Sequence, residues 1–248
     1  MKDQTAEHKG FLTGKKVVVL GGSAGIGLAT AIAASDEGAE IIIVSSNQQR
    51  IDKALEQLPE GSNGFAVNLT DEQQIQQLFT KIGAFDHLVY TAGENLVIKT
   101  LDELTIAEAK GFFDLRYWGA LTAVKYGTPH INKGGSIVLT GGAASVRPGK
   151  GWSLGASICA GMEGFTRAMA IELAPLRVNM VAPGIVKTDL WSDMSEADRN
   201  GMYEHVGNNL PVKFAAEAAD IAHTYIYLMR QQYSTGQVII ADGGYVLV

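Results

Sequence analysis

An apolar run, Val17-Val18-Val19-Leu20, is followed at once by Gly21-Gly22-Ser23-Ala24-Gly25-Ile26-Gly27 and then by a helical pattern through Ala29 to Glu37. A short β-branched run bounded by a turn reads as a buried strand, and Gly38 supplies a helix stop. Ile41-Ile42-Ile43-Val44 reads as the second strand. Strand, crossover helix and strand make one βαβ unit. Glycines at its first turn let an anion approach the backbone N–H groups, and the helix N-terminus favours negative charge. A bare strand-to-helix turn would fit the same residues. The position of the glycines, inside a βαβ unit at the start of the chain, favours a pyrophosphate cradle.

The alternation continues. Helices are expected around Gln48 to Gln57, Asp71 to Lys81, Ala107 to Tyr126 and Ser157 to Leu173, and strands at Gly64 to Val67, His87 to Tyr90, Ser136 to Thr140, Arg177 to Val181 and Gln237 to Ala241. Strand–helix alternation over a whole chain predicts a doubly wound α/β architecture, a parallel sheet with helices on both faces. The expected organisation is a flexible tail over residues 1–11 and one domain over residues 12–248, with a polar, lid-like segment at about 188–211.

Composition narrows the partners. The 248 residues carry a formal net charge of −6, which argues against nucleic-acid or anionic-membrane surfaces, since both need clustered Lys and Arg. No signal-peptide core and no run of roughly 18 apolar residues is present, so a cytoplasmic protein is expected. Cys159 is the single cysteine, and His8, His87, His130, His205 and His223 show no metal-ligand spacing, so no metal is expected.

The G-x-x-x-G-x-G spacing of Gly21, Gly25 and Gly27 resembles that of the short-chain dehydrogenase/reductase (SDR) family, and the resemblance runs along almost the whole chain. Val67-Asn68-Leu69 is similar to the family's adenine-holding residues. Ala92-Gly93 resembles the end of its Asn-Asn-Ala-Gly segment, with Tyr90 and Thr91 replacing both asparagines. Glu163 to Arg167, Ile171-Glu172-Leu173, Arg177-Val178-Asn179, Pro183-Gly184, Thr235-Gly236-Gln237 and Asp242-Gly243-Gly244 follow the family's order. The resemblance implies a Rossmann-type fold. It also implies a dinucleotide held by Gly21, Ser23, Ala24, Gly25, Ile26, Gly27, Ser45, Ser46, Asn47, Asn68, Leu69, Ala92, Gly93, Pro183, Gly184, Val186 and Thr188.

NAD-preferring members carry a carboxylate at the end of the second strand, where this chain has Ser45-Ser46-Asn47, with Arg50 one helical turn on. Hydroxyl and amide groups can donate to a 2′-phosphate, so NADP(H) is favoured over NAD(H). Two residues oppose this: Ala24 stands where many NADP-binding members have Arg or Lys, and Asn47 where others have Arg. Alternatively, Ser45 and Ser46 only cap the next helix.

The resemblance also implies an Asn, a Ser, a Tyr and a Lys that transfer protons and hold the nicotinamide ribose. Their positions fall on Arg116, Gly142, Gly155 and Cys159, and no Tyr or Lys occurs from Gly151 to Val186. Glycine has no side chain, an uncharged thiol holds no ribose, and arginine cannot shuttle a proton. Arg116 could polarise an oxygen, bind an anion or simply form a salt bridge. Tyr90, Tyr117, Trp118 and Trp152 are candidates to border the emptied pocket, with Tyr90 or Tyr117 as a relocated acid or as ordinary packing.

Two functions remain: an atypical NADP(H)-dependent oxidoreductase acting on an unknown small molecule, with the usual carbonyl reduction absent or very slow, or a non-catalytic nucleotide-binding sensor or partner protein. The helices Ala107 to Tyr126 and Ser157 to Leu173, with Gly243 to Val248, match the family's assembly surfaces and imply a homotetramer.

Overall fold

A computed structural model describes residues 10–248. Its elements, in chain order, are β1 (Lys16–Leu20), α1 (Gly25–Asp36), β2 (Glu40–Ser45), α2 (Gln48–Leu55), β3 (Asn63–Ala66), α3 (Glu72–Ile82), β4 (Phe85–Tyr90), α4 (Ile106–Phe113), a π-helical turn (Asp114–Gly119) and α5 (Ala120–Gly127). The second half continues with β5 (Ile131–Thr140), α6 (Ser153–Glu172), β6 (Arg177–Pro183), β7 (Val186–Lys187), α7 (Glu196–Asn209), β8 (Ala216–Glu217), α8 (Ala218–Arg230) and β9 (Val238–Ala241).

Seven strands pair in the order β3-β2-β1-β4-β5-β6-β9. Every pairing is parallel, as in Val17 opposite both Ile41 and His87. Alternate residues of one strand face opposite sides of a sheet. Val18 and Leu20 accordingly enter one core with Leu88, Tyr90 and Phe112, while Val17 and Val19 enter the other with Ile41, Ile221 and Tyr225. Both cores are apolar because helices cover both faces, which is why the strands read as unbroken apolar runs.

The strand order reverses between β1 and β4. In an open α/β sheet, the carboxyl ends of the strands at such a reversal leave a crevice. The glycine turn after β1 and Thr91 to Gly93 after β4 stand at that point.

The expected helix Ala107 to Tyr126 is interrupted. Asp114–Gly119 form a π-helical turn between α4 and α5. The wider turn frees a carbonyl, and Tyr90 Oη donates to Leu115 O at 2.5 Å. The lid-like segment is more ordered than a polar loop: it opens with a short helical turn at Asp189–Trp191 and contains α7, capped by Ser195. α8 had no sequence expectation. It buries Ile221, Tyr225, Leu228 and Met229 on the face of β1 opposite Leu20.

Gly10 and Phe11 close the expected N-terminal tail. Phe11 N donates to Glu37 Oε2 at 2.9 Å and its ring lies 3.5 Å under the Arg230 guanidinium. Residues 1–9 of that tail lie outside the described residues. Among the described residues no helix is long and apolar enough to cross a membrane, and no group of three or more His, Cys, Asp or Glu could hold a metal ion.

Candidate functional site

The crevice opens into a cavity of about 700 Å³. At its floor, Gly21 takes a left-handed φ of +89°, and a Cβ there would meet the Ala92 backbone at 2.5 Å. A Cβ on Gly27 would meet Gly21 O at 2.1 Å. Both positions need glycine because backbone crosses backbone there. Thr91 Oγ1 donates to Leu20 O at 3.1 Å, tying the end of β4 to the turn.

α1 begins at Ala24, which offers its first turn no side-chain cap. Its orphan N–H groups and positive dipole end therefore border the cavity, beside Ala24, Gly25 and Ile26. These features suit a phosphate.

All the cofactor-binding candidates except Asn47 line this one cavity: Gly21, Ser23, Ala24, Gly25, Ile26 and Gly27 of the turn, Ser45 and Ser46 after β2, Asn68 and Leu69 after β3, Ala92 and Gly93 after β4, and Pro183, Gly184, Val186 and Thr188 from the end of β6 onward. Asn47 is the N-cap of α2, and its Oδ1 accepts from Arg50 N at 3.0 Å. The capping role considered for Ser45 and Ser46 thus belongs to Asn47, because Ser45 instead accepts from Ser23 Oγ at 2.9 Å. Arg50 lines the cavity beside Ser46. Asn68 Oδ1 accepts from Thr70 N and Oγ1.

Arg116, Gly142, Gly155 and Cys159, the residues that the family resemblance sets at the proton-transfer positions, all line the same cavity. A Cβ on Gly142 would stand 3.2 Å from Cys159 Sγ, and one on Gly155 would stand 3.3 Å from the Trp152 ring. Trp152 therefore occupies space beside the bare glycine. Burial pushes the Cys159 thiol up to about 11, with the nearby Arg116 charge opposing the shift. The thiol is neutral near pH 7.

Arg116 lies half-buried on the π turn, with its guanidinium packed against Gly93 and 5.0 Å above the Phe112 ring. It donates through Nη2 to Glu94 O. The salt bridge weighed for it is absent among the described ion pairs. Of the four aromatic candidates, Tyr90 and Trp152 border the cavity, whereas Tyr117 packs against Phe113, Trp118 and Phe165 and Trp118 is exposed. Burial pushes the Tyr90 hydroxyl well above the ordinary tyrosine value, and its proton is already committed to Leu115 O.

Among the lining residues that escaped the sequence reading are Trp191, Arg147 and Tyr245. Trp191 lies 6.4 Å from Trp152 between ring centroids and donates through Nε1 to Val186 O. Arg147 donates to Tyr245 O at 2.5 Å and stacks 4.7 Å over its ring. A lone Arg or Trp in a loop carries no periodic signal, so only tertiary placement reveals such residues.

A doubly wound parallel sheet with an uncapped helix start and a glycine turn at its switch point defines a Rossmann-type protein. The SDR-like Rossmann domain model matches residues 9–248, and the chain belongs to that family. It is 33% identical over 258 residues to the short-chain dehydrogenase/reductase fsr5 of Gibberella fujikuroi, covering 95% of this chain and 96% of that one. A small-chain dehydrogenase crystallised in complex with NADPH is 35% identical, with a TM-score of 0.85 over 94% of this chain and 99% of its own. The MalC reductase/Diels-Alderase of Malbranchea aurantiaca is 28% identical, with a TM-score of 0.89 over 97% of this chain and 99% of its own.

Proposed function

We propose that this chain is an NADP(H)-binding SDR-like oxidoreductase whose usual proton-transfer residues are replaced by Arg116, Gly142, Gly155 and Cys159. The observation that carries the reading is the single cavity. It joins the glycine turn and the hydroxyls of Ser45 and Ser46 to Arg116, Gly142, Gly155 and Cys159. The NADPH complex of the small-chain dehydrogenase supports the choice of dinucleotide. A bound dinucleotide would supply hydride chemistry.

The chain's own residues would do the rest. Gly21, Gly25 and Gly27, with the first amides of α1, would hold the pyrophosphate. Ser46 and Arg50 would face the 2′-phosphate, with no carboxylate to repel it. Val67 and Leu69 would flank the adenine, and Pro183 with Thr188 would bound the nicotinamide end. Residues 188–211 would act as a lid: Thr188 stands 3.3 Å from the Cβ position of Gly25, and Asn95 Nδ2 donates to Ser192 Oγ at 3.2 Å.

Calorimetric titration tests the reading, with NADPH expected to bind more tightly than NADH and Ser46→Asp expected to reverse the order. Equal or tighter NADH binding overturns the NADP(H) assignment. Binding of NADPH without turnover across a broad carbonyl and enone screen would favour the non-catalytic sensor or partner reading.

A further inference from the structure

We infer that the Arg116 guanidinium is an oxyanion clamp, and that the site takes planar conjugated enones, quinones included, in preference to simple ketones. The inference rests on the dinucleotide-binding reading above. Its first support is the state of Arg116. A half-buried guanidinium that stacks on Phe112 and gives one N–H to the Glu94 carbonyl has donors to spare. The Glu94 side chain is near enough for its charge to be felt, yet no carboxylate among the described residues comes within ion-pair distance of Arg116. A cation partly withdrawn from water without a paired carboxylate fits an anionic oxygen. It also repels a preformed cationic acceptor.

The second support is what surrounds it. Cys159 holds its proton up to about pH 11, and the Tyr90 hydroxyl is engaged with Leu115 O. Neither of these two groups gives up a proton readily near neutrality. Hydride addition to an isolated ketone leaves an alkoxide, a base strong enough to need a proton as it forms. Conjugate addition to an enone leaves an enolate, and hydride addition to one oxygen of a quinone leaves the phenolate of the hydroquinone at the other. A phenolate is as weak a base as a tyrosinate, with a pKa of about 10, and can wait for water.

The balance is simple. The enone gains a hydride at its β-carbon from a reduced nicotinamide dinucleotide, which is left oxidised. A C–H bond forms, the C=C π bond breaks, and its electron pair comes to rest on the carbonyl oxygen. Arg116 holds that oxyanion, and water protonates the product afterwards. Trp152 and Trp191 both wall the same cavity of about 700 Å³, presenting aromatic surface to a planar ligand.

The decisive probe is p-nitrophenol, titrated spectrophotometrically without any dinucleotide. A fixed cation lowers the pKa of a phenol it touches. In wild type and Arg116→Lys the bound probe should show a pKa about one unit or more below the free one, and in Arg116→Gln the shift should vanish. No saturable binding at millimolar protein, an unshifted wild-type value, or the same shift in Arg116→Gln overturns the clamp. Should Arg116→Gln fail to fold, the wild-type Kd decides: it must fall as the pH rises through the probe's pKa, and a constant Kd overturns the clamp.

With NADPH, turnover of 1,4-naphthoquinone should exceed that of cyclohexanone by about 100-fold or more, the typical worth of a missing general acid. Equal rates overturn the substrate class. Failure of NADPH to bind by calorimetry would sink the underlying reading, whereas the nitrophenol titration judges Arg116 independently of it.

Discussion

The Trp152 ring lies 3.3 Å from the point where a Cβ on Gly155 would stand. A tyrosine introduced there must displace the indole before its hydroxyl can reach the cavity. Installing Gly142→Ser, Gly155→Tyr and Cys159→Lys together should therefore restore little carbonyl reduction. Adding Trp152→Ala should raise the rate by about tenfold or more, a fraction of the 100- to 10,000-fold worth of general acid catalysis. NADPH oxidation with a simple ketone is the assay, and equal rates for the two variants would show that the indole is no obstacle.

Tyr90→Phe should cost about 1–3 kcal/mol, because it strands the buried Leu115 carbonyl released by the π turn. Urea denaturation measures it. A loss below about 0.5 kcal/mol would mean that the turn relaxes to ordinary α-helix or that water replaces the hydroxyl.

His87 predicts an acid-sensitive stability. Burial pushes its imidazole down to about 4, with Arg177 and Lys15 adding to the shift and Asp86 opposing it. The folded value lies below the ordinary 6.5, so the unfolded chain binds the extra proton between these limits. Stability is then complete above pH 6.5 and falls as the pH drops toward 4, by on the order of 3 kcal/mol at most. His87→Gln, which can keep a hydrogen bond to Ser136, should flatten that slope. An unchanged slope would assign the acid sensitivity to other groups.

Cys159 should be slow to alkylate. The thiolate is the reactive form, so the iodoacetamide rate should keep climbing past pH 9 toward about 11. Arg116 opposes the upward shift, and Arg116→Gln should therefore slow labelling at any fixed pH. A plateau near pH 8.5 would indicate an open, unperturbed thiol.

The strands were legible because burial on both faces leaves little room for polar residues, and Val17 to Leu20 or Ile41 to Val44 admit no other reading. The glycine turn was legible for a different reason, since Gly21 and Gly27 are demanded by backbone crossing backbone. α8 carried a readable stripe in Ile221, Tyr225, Leu228 and Met229, but it lies between the polar lid and the last strand and drew no assignment. The π turn left no local trace. An extra residue in a helical turn is chosen by a tertiary partner, here Tyr90, and the pattern Ala107 to Tyr126 reads as one continuous helix without it. At the site, resemblance was enough to bring Arg116, Gly142, Gly155 and Cys159 together, and all four do line one cavity. That Trp152 stands against Gly155 and that Asn47 serves as a cap depended on packing.

The hydrogen bond from Thr91 to Leu20 spans 71 residues of chain. The glycine turn is thus completed from outside its own βαβ unit, and a peptide holding only β1, α1 and β2 would contain every glycine yet lack the partner that fixes their backbone. During synthesis the cradle cannot assume its final shape until β4 has emerged and docked beside β1. Whatever anion it holds can stabilise only chains that have already passed that point.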